Sequence, residues 1–462
     1  MISSKTQYPV KLIRLQIGIC LASFLGCLDF TIVNTALPAI QRDFSSNIES
    51  SQWAMTLFVM ALCCCMVMSA RLAERFGARR VLYSGMLLFG IASLGSGLAT
   101  QLIVLNLFRL LQGAGCAVLY TVSATILVQA IPASNHGRAL GLLFAANGLG
   151  LALGPVLGGI LVSDPGWRAV FLLNVPLILL SFYFCSRSVP ASVKRADTSL
   201  DIPGWLLMCG GLILLLIWTR YVTPWGALSS WSLLTLLLSF IVLSAFFMRE
   251  RRTAQPVIDF DMLRSKTFAA ACLLSVLLAV FYCSAFMLLP FRLSALYHLN
   301  DASLGLMLLP VTLVMALTSP LAGRLSDRFS PWPVMATGFG LLMMSALLFS
   351  LVDSKIMALL IALVLMGAGW AAILGPSVAA ALAAINISRH AQGIGISWTL
   401  HNLGGAMGLA VATQIYQAGG SSTGFQHVMF GLAGSAGIGM VVAWLTVSRL
   451  RELQIGNRDQ KG

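Results

Sequence analysis

The chain has 462 residues, of which 58% are hydrophobic and only 10% charged, and its mean hydropathy is +0.90. A soluble domain is roughly 45–50% apolar and about 25% charged, so composition excludes a water-soluble enzyme or binding module and makes lipid the solvent. The net charge of +14 suggests a nucleic-acid partner until the charges are located along the chain, and their distribution then speaks against one.

Apolar segments of roughly 17–25 residues, each able to cross a hydrocarbon core of about 30 Å, recur along the sequence. About fourteen are predicted, at 15–37, 53–70, 81–99, 103–129, 139–162, 169–185, 203–219, 231–248, 268–290, 303–322, 332–352, 356–384, 394–416 and 428–447. Each is expected to be helical, because backbone groups in lipid have no water to bond. With the N-terminus inside and the segments alternating, 23 of the 29 Lys and Arg fall in cytoplasmic stretches. Five fall outside: Arg42, Arg168, Arg220, Arg292 and Lys355. This positive-inside bias accounts for the basic pI by topology. It also requires an even number of crossings, and the length of 203–219 and 231–248 favours fourteen over twelve. Both termini are then cytoplasmic.

The first segment carries Asp29 and the fourth carries Arg109. A charge at the bilayer centre costs about 2.5–3.5 kcal/mol on insertion scales, so both call for a functional explanation. Each lies eight residues below the outer end of its helix, roughly 12 Å at 1.5 Å per residue. Opposite charges at matched depth can form a structural ion pair. Alternatively, desolvation and the neighbouring cation act in opposite directions on the acid, as a proton-binding site requires; we favour the second reading. Near the start of the second segment, Trp53, Met55, Phe58 and Met60 fit an adaptable cavity wall or an interfacial anchor equally well. Other buried polar candidates for the cavity are Asn34, Gln112, Asn147, His401 and Asn402.

After the second segment comes Ala70-Arg-Leu-Ala-Glu-Arg-Phe-Gly77, and 253 residues later Gly323-Arg-Leu-Ser-Asp-Arg-Phe-Ser330. Duplicated helical bundles with a site between the copies are a common plan of secondary transporters. The spacing exceeds that of a twelve-helix repeat by about 50–60 residues, at about 32 residues per helix and loop. That excess matches an inserted two-helix hairpin. The predicted domains are therefore residues 1–190, a six-helix bundle; 191–255, the hairpin with its linkers; and 256–462, a second six-helix bundle. In the turns, Arg71, Glu74 and Arg75, and Arg324, Asp327 and Arg328, serve as topology signals and as a latch for an inner gate. In the fifth segment Gly150, Gly154 and Gly158 form a stripe four residues apart that allows close helix approach. Pro155 beside it favours a helix that seals or hinges between the halves.

The ten cysteines all lie in predicted spans and none has metal-site spacing with His, so they read as small apolar residues without disulfides or metal. No Gly-rich phosphate loop with its Lys is present, which leaves no route to ATP hydrolysis in this chain. No cofactor and no catalytic residue is expected.

Leu28-Asp-Phe-Thr-Ile-Val-Asn-Thr-Ala-Leu-Pro38 closely resembles the first-helix signature of the fourteen-helix drug:proton antiporters of the major facilitator superfamily. The turn 70–80, Arg109-Leu-Leu-Gln-Gly-Ala-Gly115, Gly150 to Gly159 and Gly166 to Pro176 carry the same likeness. Pro256 to Phe268, Gly323 to Ser330 and Leu403 to Gly408 extend it through the second half. The resemblance implies two bundles rocking about a midplane cavity, with Asp29 and Arg109 in proton coupling and Gly154 and Pro155 in the antiporter helix motif. It also implies a gating role for Gly77 with Arg71 and Arg75. Ala70, Glu74 and Ser330 depart from the pattern, as do His401-Asn402, where many relatives carry Arg-Gln. The chain also lacks the further deep carboxylates of many exporters of lipophilic cations.

The expected function is proton-driven export of lipophilic drugs or small metabolites from a cytoplasmic (inner) membrane. A dedicated endogenous compound such as a siderophore is the first alternative, and a sensor or scaffold on a transporter fold or a proton-coupled importer are others. The expected partners are the small-molecule substrate, protons and the lipid bilayer; a periplasmic adaptor stays open.

Overall fold

The structure is a computed structural model and describes residues 4–190, 200–226, 228–297, 301–351, 356–419 and 423–459. Residues 191–199 of the hairpin linker and Lys355 fall outside these. Among the described residues the chain is helical without strands. The helices of the first half are α1 (Ser4–Asp43), α2 (Ile48–Phe76), α3 (Ala78–Gly97), α4 (Leu102–Ala130), α5 (His136–Ser163), α6 (Arg168–Leu172) and α7 (Asn174–Ser186). Between the halves come α8 (Ile202–Trp225) and α9 (Ser230–Glu250). The second half has a short α10 (Asp261–Arg264), then α11 (Lys266–Tyr297), α12 (Asp301–Phe329), α13 (Pro331–Leu351), α14 (Ile356–Ala383), α15 (His390–Gly419) and α16 (Phe425–Asp459).

Local chemistry sets the boundaries. Asn47, Asp201 and Ser229 cap α2, α8 and α9, each side-chain oxygen accepting a backbone N–H in the first turn. Gly77, at φ 93°, ends α2 and starts α3, a backbone conformation that side chains other than hydrogen resist. Each of the fourteen predicted segments coincides with helix, the sixth being split between α6 and α7. Twelve helices among the described residues are long and apolar enough to cross a membrane, and α3 and α15 are not among them. Arg79 and Arg80 open α3, while His390, Gln392, His401 and Asn402 interrupt the apolar sequence of α15.

The packing pairs of the first half recur in the second. α1 packs on α5 as α11 packs on α15, and α2 and α3 pack on α4 as α12 and α13 pack on α14. The halves meet along two seams, α5 with α12 and α2 with α15. The hairpin seats α8 over the second seam. Trp205 donates its indole N–H to the Cys64 carbonyl at 2.8 Å, Leu216 packs with Met60, Cys63 and Ala406, and Arg220 bonds Thr56 at 2.6 Å. At its other end, Arg249 bonds the Asp201 carboxylate at 2.8 Å and holds that acid below the usual carboxylate range. α9 lies outermost, with Phe240 and Ile241 exposed, an apolar face suited to lipid rather than water.

Candidate functional site

The deepest polar structure lies inside the first half. Asp29 and Arg109 are both fully buried, and Arg109 Nη1 donates to Asp29 Oδ2 at 2.5 Å. The matched depths in the sequence thus correspond to direct contact. The other carboxylate oxygen accepts from Gln112 Nε2 at 2.8 Å and from Asn174 Nδ2 at 2.9 Å. Arg109 also donates to Gln112 Oε1 and to the Ala54 carbonyl, and its guanidinium lies 4.2 Å from the Phe58 ring centroid. Ser93 joins Gln112 and Asn174 and donates to the Phe171 carbonyl. Four helices besides α1 and α4 therefore contribute: α2 through Ala54 and Phe58, α3 through Ser93, α6 through Phe171 and α7 through Asn174. Both carboxylate oxygens of Asp29 thus accept from side-chain donors of neighbouring helices. Removing one partner of such a pair is far costlier than exchanging both, because it leaves a buried charge uncompensated.

Gln112, expected in the cavity, belongs to this network instead. Phe58 and Met55 also turn toward Arg109 rather than toward an open space or lipid. Asn34 stands apart: it is exposed and bonds the Phe30 carbonyl one turn back. Asn174 and Ser93 were missed in the sequence. An amide in the apolar run Leu172-Leu-Asn-Val-Pro176 was the available signal for the first, whereas an isolated membrane Ser gives none.

The second structure is a set of contacts between the halves at the end of the molecule that carries the charged turns. Asp327 accepts the backbone N–H groups of Gly137 at 2.7 Å and Arg138 at 2.8 Å. A carboxylate from one half thereby caps the N-terminus of α5 in the other, where the helix dipole favours negative charge. The first turn mirrors this: Glu74 accepts from Gln392 of α15 at 2.9 Å and from Arg71 at 3.3 Å. Arg71 also donates to the carbonyls of Pro256 and Val257. Arg75 and Arg328 each lie over a neighbouring phenylalanine ring, 5.3 Å from Phe76 and 5.1 Å from Phe329. Arg324 is exposed. His136 and His390, at the starts of α5 and α15, face each other with ring centroids 6.3 Å apart. The segments Ser134-Asn-His-Gly-Arg138 and Ser388-Arg-His-Ala-Gln392 are a further internal repeat, and the sequence reading overlooked them.

The glycine stripe requires a correction. Gly150, Gly154 and Gly158 face α1 of their own half; a Cβ on them would clash with Phe24, Thr31 and Thr35 respectively. The seam between halves is made by other glycines on α5. Gly137 meets Gly323, Gly141 meets Ser319 and Pro320, and Gly148 meets Ala316. A stripe of period four names one face of a helix and does not say which neighbour covers it. Pro155 follows the intra-half stripe, within α5.

The third structure is an aromatic cluster where the halves meet. Tyr282 of α11 stacks on Trp370 of α14 at 4.1 Å and lies near-parallel to His401 of α15 at 5.7 Å. Trp398 of α15 stacks on Tyr120 of α4 at 5.9 Å and packs against Phe144 of α5 and against His401. His401 Nδ1 lies 2.9 Å from both the carbonyl and the hydroxyl oxygen of Ser275. Asn147 is buried on the same face of α5 as Phe144, and Asn402 bonds the Trp398 carbonyl beside Met66 of α2. Of the expected cavity residues, His401 thus sits in this cluster, with Asn147 and Asn402 on its flanking turns. The aromatic members gave no sequence signal, because single Trp and Tyr residues in membrane helices are common.

The sequence profile of the Major Facilitator Superfamily matches residues 19–249 and 270–461. The chain is 28% identical over 403 residues to the riboflavin transporter RibZ of Clostridioides difficile (strain 630), covering 86% of this chain and 87% of that one. It is 30% identical over 415 residues to the multidrug resistance protein Stp of Mycobacterium tuberculosis (strain ATCC 25618 / H37Rv), covering 88% and 76%. To the tetracenomycin C resistance and export protein of Streptomyces glaucescens it is 28% identical over 405 residues, covering 86% and 74%. Its fold resembles the crystal structure of the human organic anion transporter MFSD10, with a TM-score of 0.70 at 15% identity over 94% of this chain and 99% of that one.

Proposed function

Because this chain belongs to the Major Facilitator Superfamily, a family of transporters, we propose that it is a proton-coupled antiporter exporting a small molecule across a cytoplasmic membrane. Its fourteen helices would cross that membrane with both termini inside, as two six-helix bundles and the α8–α9 hairpin. The carrying observation is the fully buried Asp29–Arg109 pair within a ring of amides. An ionised acid with every oxygen bonded is a proton site only if the pair can separate. Rocking of the bundles would supply that motion, with the exposed Asn34, five residues beyond Asp29 on α1, on the route for protons.

In this cycle Asp327, Glu74 and Gln392 close the cytoplasmic side, as the outward-facing arrangement requires. Protonation of Asp29 from outside weakens its bond to Arg109 and favours the inward-facing arrangement. There the proton leaves and the substrate binds, and each ligand must stabilise a different conformation for exchange to occur. Relatives named for resistance and export favour the outward direction of transport.

The test is substrate accumulation in energised inverted vesicles. Uptake is expected to collapse with an uncoupler and to vanish in Asp29→Asn while the protein stays inserted. Gradient-driven pumping by that variant at the wild-type rate would remove the coupling role. Absence of flux for every compound screened would instead favour a sensor on the same fold.

A further inference from the structure

The aromatic cluster contains polar atoms that the fold leaves unused. Trp370 is buried, yet its indole nitrogen has no hydrogen-bond partner, and the indole nitrogen of Trp398 is likewise buried and unpartnered. Asn147, one turn beyond Phe144, has an unpartnered amide oxygen. Buried polar atoms are nearly always bonded, and leaving one unmade costs about 1–3 kcal/mol. Two indoles unsatisfied in one cluster at the seam between the halves are therefore a feature to explain.

Their chemistry limits what can satisfy them. An indole N–H is a donor only, so its partner must bring an acceptor. The buried acids among the described residues are Asp29, Asp201 and Glu250. Asp29 is engaged within the first half, and Asp201 and Glu250 lie at the charged end with the hairpin. No carboxylate therefore stands beside the cluster to neutralise a cation, and an unpaired charge in such a place is costly. Aromatic faces alone can attract cations, but here Tyr282, Trp370 and His401 lie face against face, as do Tyr120 and Trp398. What the cluster offers is the apolar edges of stacked rings with unpartnered N–H groups among them.

We propose that the compound carried is a planar, uncharged aromatic molecule bearing carbonyl or ring-nitrogen acceptors, packed against the edges of these rings and bonded by the indole N–H groups of Trp370 and Trp398. This names the substrate class of the transport reading above and rests on it. Asn147, whose amide can both donate and accept, adds one adaptable contact from the first half. Binding then links the two halves, since Tyr120 and Phe144 belong to one and Trp370, Trp398 and Tyr282 to the other.

Binding is tested without a gradient, on the full chain in lipid nanodiscs, by fluorescence anisotropy against empty nanodiscs. The probes are lumichrome, an uncharged tricycle with carbonyl acceptors, and ethidium, a planar cation of similar size. The wild type is expected to bind lumichrome at least about tenfold more tightly than ethidium. Trp370→Phe and Trp398→Phe keep a ring and remove the N–H; each should weaken lumichrome about five- to tenfold and leave ethidium unchanged. Ethidium binding as tightly as lumichrome overturns the proposal, and so does lumichrome affinity within twofold of wild type in both variants. The wild-type comparison decides even if a variant misfolds. Selective lumichrome binding without any gradient-driven flux would break the transport reading alone. Flux of cations without lumichrome binding would break this one alone.

Discussion

The two halves share a packing plan and differ in what they bury. The first encloses a charge pair tied by Gln112, Asn174 and Ser93; the second encloses stacked rings and one imidazole around Tyr282, Trp370 and His401. On the reading proposed above, a fold that repeats its helix pairs assigns proton chemistry to one half and recognition to the other. The reason is physical. An ion pair needs a dry, fully bonded setting inside one rigid unit, whereas a ligand that must be released needs a surface that parts when the units move.

The largest expected effect falls on the charged half. Arg109→Leu leaves Asp29 among amides without its cation, so thermal unfolding in detergent should reveal a loss of about 3–5 kcal/mol. A melting temperature equal to wild type would mean that the first half is as neutral in effect as the second. Next comes the seam. Gly137→Leu places a side chain against Gly323 and should hold the charged end open. Cysteine labels at that end should then react at least about tenfold faster than in wild type; unchanged labelling would show that the gate closes without this contact.

A smaller effect concerns pH. His390 lies before the apolar part of α15, and burial, with the neighbouring His136, pushes its pKa below the usual histidine value. The packed arrangement of this end therefore disfavours its charged form. Its contribution to closure is complete above the ordinary value of about 6.5 and is lost as pH falls below it, because the open state binds the extra proton. Acidifying the side that carries the charged turns should speed labelling at that end by up to several-fold, and His390→Gln should flatten the response. An unaltered pH profile in that variant would assign the response elsewhere.

The smallest effect separates the two turns. Gly77 takes φ 93° in the first and Ser330 takes φ 85° in the second, so the second copy holds a side chain where the first has none. Ser330→Gly should stabilise the protein by about 1 kcal/mol, seen as a higher melting temperature, whereas a lower one would mean that the hydroxyl makes a needed bond.

The contrast between the halves was half legible in the sequence. Asp29 and Arg109 stood out because charge is expensive in lipid, and their equal depth foretold the pair. Asn174, Ser93 and the aromatic cluster did not, since amides, hydroxyls and rings at single positions are ordinary in membrane helices until neighbours converge on them. Gln112 was recognised as buried and polar but attributed to the wrong place, because helical position fixes depth and leaves the facing partner open.

Sequence by itself determined that the chain is a set of apolar helices with its basic charge gathered in alternate loops, that it repeats internally and that two opposite charges share a depth. These follow from local quantities: the hydrophobicity of a segment, the cost of a charge in lipid and the rise of a helix per residue. Tertiary structure alone decided that Gly150, Gly154 and Gly158 pack inside one half while Gly137, Gly141 and Gly148 close the seam. It alone seated the hairpin over α2 and α15 and gathered five helices' aromatic side chains at one place. Such facts depend on which helix faces which, and a one-dimensional pattern carries the period of a face without naming its neighbour.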